Sequence, residues 1–175
     1  MRSFEPVDGT AFSEIMADKE AMEDLYAIEG APDVPDAFAA WFIDDAIRSW
    51  RQSGFGNWAV CLKASDMRSG ERIIGLARFL SEEMLGEAAE EALEVGWAIH
   101  PAVGRRGLAT EAARAVIDYG FNVLEVPLIE ALTSRENTPS IGLMERLGMK
   151  NSGERSPYGY DDCVLYGVTQ EEWSG

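Results

Sequence analysis

The sequence predicts one α+β domain, a mixed β-sheet flanked by helices in three layers, and three observations carry that expectation. Ala92–Ile99 and Pro127–Thr133 are apolar, strand-like runs separated by a helical run after Gly107. Strand, helix and strand at that spacing imply a parallel pair with a right-handed crossover. Asn57–Ala64 and Arg72–Leu80 read as two strands joined through the Ser65–Gly70 turn, a hairpin or meander. Met149–Glu154 and Cys163–Val168 read as two closing strands around the polar turn Arg155–Asp162.

Taken in order, Arg2–Glu5 makes a very short first strand, and Asp8 or Thr10 caps a helix carrying Phe12, Ile15 and Met16. A short helical piece over Lys19–Ile28 precedes Gly30–Asp36, a loop with two prolines. Asp36 caps the next helix, where Phe38, Trp41, Phe42, Ala46, Ile47 and Trp50 recur at three- and four-residue spacing. That stripe is a core face, part of which is available to line a substrate pocket. The helix after Gly107 places Leu108, Ala112, Ala113, Val116, Ile117, Gly120 and Leu124 on one face, and Asn137–Leu147 gives a last helix stopped by Gly148.

A chain of 175 residues with 46% hydrophobic content suits a single core-forming domain. Its 15 Lys and Arg face 31 Asp and Glu, so the overall field repels nucleic acid and anionic membrane while favouring cationic partners; an acidic surface also serves solubility. Cys61 and Cys163, the two cysteines, sit in apolar strand-like surroundings and read as packed thiols rather than disulfide or metal ligands. No apolar leader opens the chain and no run reaches the roughly 18 apolar residues of a membrane span, so a cytoplasmic location is expected.

The stretch with most chemical content is Gly104–Thr110, GRRGLAT, a glycine-flanked basic turn entering a helix. Free amides and the helix dipole make such a turn a natural anion site, although an ordinary strand-to-helix connection looks the same. A P-loop is excluded by the missing lysine and hydroxyl, and GxGxxG is absent. His100, the sole histidine, precedes Pro101 and reads as a turn residue; Trp58 and Trp97 read as core.

The ordered segments EVGWAIHP, GRRGLATEA, SRENTPSIGLMERLGM and DDCVLYGVTQEEW resemble the GCN5-related N-acetyltransferases (GNAT), in the branch typified by the ribosomal-protein alanine acetyltransferases RimJ and RimL. The likeness runs from about Arg2 to Trp173, nearly the whole chain. It implies a single domain with the family's mixed, splayed sheet, and acetyl-CoA as acyl donor. In the family's pyrophosphate loop, [QR]-x-x-G-x-[GA], Gly107 and Ala109 match, while Gly104 stands where Gln or Arg is usual. The resemblance then assigns Arg105, Arg106, Gly107, Leu108, Ala109 and Thr110 to the pyrophosphate, and Trp97, Ala98 and Ile99 to the pantetheine arm through backbone groups. Asn137 and Ser140 match the N-x-x-[SA] that touches the cofactor near its sulfur.

Attack of an amine on a thioester needs a base for the amine proton and a donor for the leaving thiolate. Glu94 aligns with the family's strand carboxylate that acts as base, and otherwise reads as an exposed strand charge. The family's tyrosine acid is replaced by Met144, leaving Ser140 as the nearest donor or, alternatively, a helix cap. The expected acceptor is a primary amine: a protein N-terminus, a polyamine or a small amine. Its site is expected in Ala27–Trp50, Ser81–Glu91 and Arg155–Asp162. The loss of the tyrosine keeps open a non-catalytic acyl-CoA binding or sensing module, and the resemblance also admits a homodimer.

Overall fold

The first residues fold around one ion pair. Asp8 is buried, and its two carboxylate oxygens each accept a 2.7 Å hydrogen bond from the Arg2 guanidinium, while one also accepts the Glu5 amide at 2.8 Å. Two charge-assisted bonds outweigh one cap bond. Asp8 therefore precedes the first helix, α1 (Gly9–Met16), without capping it by its side chain, contrary to the sequence expectation. It closes instead a capping box with Glu5 across the 3-10 turn Pro6–Asp8.

The computed structural model describes residues 1–18, 22, 30–62, 72–80, 92–103, 106–155 and 162–173. The strands are β1 (Arg2–Ser3), β2 (Asn57–Leu62), β3 (Arg72–Phe79), β4 (Leu93–Ile99), β5 (Leu128–Ser134), β6 (Lys150–Arg155) and β7 (Cys163–Thr169), forming one seven-stranded sheet in the order β1-β2-β3-β4-β5-β7-β6. The β1–β2, β2–β3, β5–β7 and β6–β7 pairs are antiparallel, and β4–β5 is parallel, as the strand–helix–strand spacing requires. The expected helix over Lys19–Ile28 and the turns at Ser65–Gly70 and Ser81–Glu91 lie wholly or largely outside the described residues, as does most of Arg155–Asp162.

The chain divides into two compact units: residues 1–78 with 97–108, and residues 79–96 with 109–175. In the first, α1 and α2 (Pro35–Ser53) form an aromatic core. Phe12 meets Phe4 edge-on at 5.1 Å and Phe42 at 5.2 Å, and Phe38 stacks on Phe42 at 5.8 Å. Ala59, Ile73 and Leu76 of the strands complete this cluster, and Ala98 packs against it. The predicted stripe is thus core at Phe38, Phe42 and Ala46, whereas Trp41, Ile47 and Trp50 are only partly buried. Trp50 donates its indole N–H to the Asn57 carbonyl at 2.9 Å and packs edge-on against Trp58. Helix α2 starts at Pro35 with Val34 as its N-cap residue, so Asp36 lies in the first turn rather than at the cap. Proline fits there because its missing N–H has no intrahelical partner to lose. The Asp36 carboxylate instead accepts the Ser13 hydroxyl of α1.

In the second unit α3 (Leu108–Asn122) lies close on the sheet. A methyl at Gly120 would come within 2.6 Å of Ile129 Cδ1 and 2.7 Å of Phe79 Cζ, so this helix position must be bare. Ala112, Ala113, Val116, Ile117 and Phe121 fill the rest of the buried face. Leu108 and Leu124, expected on that face, are only partly buried, and Leu124 falls beyond the helix end.

Helix α4 (Thr138–Arg146) ends in a Schellman motif. Met149 donates to the Met144 carbonyl at 3.1 Å and Gly148 to that of Glu145 at 3.0 Å, with Gly148 left-handed at φ +80°. A four-residue helix not foreseen from the sequence, α5 (Gln170–Trp173), docks on α3: Trp173 donates to Asp118 at 2.7 Å, and Arg114 lies 4.9 Å over its ring. Among the described residues, no helix is long and apolar enough to cross a membrane.

The Arg2–Asp8 pair has a pH signature. Burial opposes ionisation of Asp8, but hydrogen bonds from Arg2 and the Glu5 amide, with the Arg2 charge, outweigh it and hold the carboxyl below its ordinary value. A depressed carboxylate stabilises the fold above its unfolded value, and that contribution is lost as pH falls through the lower folded one. Asp8→Asn should therefore cost about 2 kcal/mol near neutral pH, the gap closing below about pH 4. Urea unfolding at pH 7 and pH 3 checks this; an equal gap at both would contradict it.

Candidate functional site

The candidate site residues sit on three elements whose ends the local sequence fixes. Strand β4 supplies Glu94, Trp97, Ala98 and Ile99, the turn into α3 supplies Arg106 and Gly107, and α3 itself begins with Leu108, Ala109 and Thr110. The start of α4 supplies Asn137 and Ser140. Arg105 lies outside the described residues, as does Gly104.

In the first unit, Trp97, Ala98 and Ile99 are all half-buried. Trp97 is thus not the core residue its strand context suggested, whereas Trp58 is buried. Just past β4, His100 donates its amide to the Ile74 carbonyl at 2.8 Å. Its Nδ1 accepts the Ala102 amide at 3.3 Å, and Nε2 lies 3.6 Å from Asp18, so the ring braces the 3-10 turn Pro101–Val103, in keeping with a turn residue. A cavity of about 170 Å³ in this unit, lined by Glu14, Arg72, His100 and Val103 among others, contains none of the nominated residues.

Gly107 is exposed and left-handed at φ +76°, and a Cβ there would meet nothing within 4 Å. The glycine is needed for its backbone angle, not for space. It turns the chain into α3, whose first N–H groups have no intrahelical acceptor. Arg106 is exposed beside it, with Glu111 the one acid in the first turn. A left-handed glycine, a helix N-terminus and an exposed arginine are features that suit a phosphate or pyrophosphate.

In the second unit, the parallel register joins Leu93 to Ile129 and Glu94 to Glu130. Paired residues of a parallel ladder point to the same face, so Glu94 has Glu130 as its neighbour, both half-buried. The Glu94 carbonyl also accepts the Leu80 amide at 2.9 Å. Glu130 was not nominated from sequence: it lies far from Glu94 along the chain, and only the register brings the two together.

Asn137 and Ser140 are brought into direct contact. The Asn137 side-chain oxygen accepts the Ser140 amide at 3.2 Å, making Asn137 the N-cap and Ser140 the third helical residue. The N-cap position thus belongs to Asn137 and not to Ser140. Met144, which replaces the tyrosine implied by the resemblance, is 1% exposed and belongs to the core.

Comparison with known proteins bears on these elements. Residues 1–150 match the family model of an acetyltransferase (GNAT) domain. The chain is 34% identical over 90 residues to the uncharacterized N-acetyltransferase YnaD of Bacillus subtilis, covering 49% of this chain and 53% of the relative. It is 38% identical over 56 residues to the spermidine N(1)-acetyltransferase of Escherichia coli, covering 32% and 30%. The chain spans about half the length, or less, of these curated relatives. Among solved structures, a GNAT-family acetyltransferase from Bacillus anthracis superposes with a TM-score of 0.73 at 27% identity, covering 97% of this chain and 93% of that one. RimJ of Mycobacterium smegmatis, solved with CoA-disulfide, gives 0.73 at 20% identity over 99% and 83%, a likeness of fold. With the family model matched over most of its length, the chain belongs to the GNAT acetyltransferase family.

Proposed function

We propose that this chain is an acetyl-CoA-dependent N-acetyltransferase, one catalytic domain that passes the acetyl group directly to a primary amine in a ternary complex in the cytoplasm. The observation that carries this reading is Gly107, left-handed and exposed immediately before α3, at the position that the sequence resemblance gives to the family's pyrophosphate loop. The amides from Gly107 to Thr110, with Arg105 and Arg106, would hold the pyrophosphate. Trp97, Ala98 and Ile99 would hold the pantetheine arm through backbone groups, a role that asks little of their side chains. Bound acetyl-CoA supplies an activated thioester.

The protein's part is proton handling. Glu94 takes the amine proton at its carboxylate, directly or through water. The adjacent Glu130 adds a second negative charge on that face, which favours a cationic acceptor and opposes an anionic one. Ser140 Oγ holds the proton for the leaving thiolate, and Asn137 fixes the turn that carries it. The acceptor is a polyamine, another small amine or a protein N-terminus. The net charge of −16 and the partial match to a spermidine acetyltransferase support the first.

One observation favours a second reading. Buried Met144 has no proton to give, as in a module that binds acyl-CoA without turnover. Thiol release from acetyl-CoA across a panel of polyamines, small amines and peptide N-termini separates the two. Release with at least one amine is expected, and tight CoA binding without release from any would favour the sensor.

Four substitutions test the assignments. Gly107→Val should weaken CoA binding about tenfold or more while the protein stays folded, because a β-branched residue resists φ +76° and blocks approach to the amides. Unchanged affinity by calorimetry would refute the loop. Glu94→Gln should lower kcat/KM by about 100-fold or more and alter the acidic limb of its pH profile; an unaltered limb would remove Glu94 as base. Ser140→Ala should cut turnover with little change in melting temperature, while Asn137→Ala should cost about 1 kcal/mol of stability. The opposite assignment of losses would exchange their roles.

A further inference from the structure

We infer that Gly75 is a positioning residue for the β4 edge that binds the pantetheine arm, an inference that rests on the function proposed above. Gly75 is buried in β3 at φ +157°. A Cβ there would lie 2.1 Å from the Ala98 carbonyl oxygen, 2.8 Å from Ile99 Cα and 3.0 Å from the Ala98 carbonyl carbon. All three are backbone atoms, so no side chain can swing aside to relieve the contact.

The surrounding strand makes the approach specific. Between β2 and β3 the register steps from Val60↔Gly75 to Cys61↔Ile73, so Ile74 is an extra residue bulged into β3. The carbonyl of that residue accepts the His100 amide at 2.8 Å, tying down β4 just past its end. On the core face Ala98 packs against the cluster that includes Phe12, Phe38 and Phe42. The bulge and the bare glycine together seat the Ala98–Ile99 peptide, and those are backbone groups assigned to the pantetheine arm. A methyl at position 75 must shift that peptide, and a shift of about an ångström suffices to spoil hydrogen bonds to an extended ligand.

The test compares two ligands on two variants of the full chain. CoA carries the pantetheine arm, and adenosine 3′,5′-bisphosphate carries the nucleotide without it. Gly75→Ala should weaken CoA about tenfold or more while leaving the bisphosphate within about twofold. The control is Gly54→Ala: Gly54 also has positive φ, +74°, but a Cβ there meets nothing within 4 Å, so neither affinity should change. Unchanged CoA affinity in Gly75→Ala, or proportional loss of both ligands, overturns the inference. If Gly75→Ala does not fold, amide exchange in the unsubstituted protein decides. Saturating CoA should slow exchange at Gly75 and His100 together with Trp97–Ile99, and protection confined to Trp97–Ile99 overturns the role of Gly75. An unsubstituted chain that binds neither ligand sinks the proposed function, and this inference with it.

Discussion

Strand β4 is held differently at its two ends, and the proposed chemistry depends on that difference. At its start Leu93 and Glu94 are locked to β5, and the Glu94 carbonyl takes the Leu80 amide. Beyond its end the His100 amide is tied to the β3 bulge at Ile74, and Ala98 rests on the aromatic core. A strand satisfied on both edges throughout would have no amides or carbonyls to offer a ligand. In the proposed function β4 carries a carboxylate early and a backbone recognition edge later.

The neighbouring elements supply what β4 lacks. Gly107 adopts the one backbone angle that turns the chain into α3 with its N-terminal amides exposed, and Gly120 lets the same helix lie against Phe79 and Ile129. Helix α5 clasps α3 from outside through Trp173, Arg114 and Asp118, and is itself closed by reciprocal bonds between Thr169 and Glu172. Helix α4 is defined at both ends, by Asn137 and by the Schellman turn at Gly148, so the Ser140 hydroxyl is presented from a fixed turn.

Periodicity and punctuation made most of the architecture legible. The strands at Asn57, Arg72, Leu93, Leu128, Lys150 and Cys163 start within a residue or so of the runs read as strands, and Gly107 and Gly148 mark the helix ends they were expected to mark. The sequence was misleading where one polar group had several partners in reach. Asp8 turned to Arg2 rather than to its helix, and Asn137 rather than Ser140 took the cap. Contacts fixed by register rather than by local pattern were not visible. Glu130 meets Glu94 only through the parallel pairing, and Gly75 meets Ala98 only through the approach of neighbouring strands. Helix α5 has four residues, too short for any period to show.

The proposed transfer requires a CoA donor gripped by backbone amides ahead of α3 and along β4. Calorimetric titration of the intact chain with acetyl-CoA, paired with its melting curve at millimolar ligand, bears on that most directly. One acetyl-CoA should bind per chain and raise the melting midpoint, since a ligand that binds only the folded state stabilises it. No heat of binding over a range of temperatures, together with an unmoved midpoint, would contradict both the transferase and the sensor and leave the cofactor loop an ordinary strand-to-helix turn.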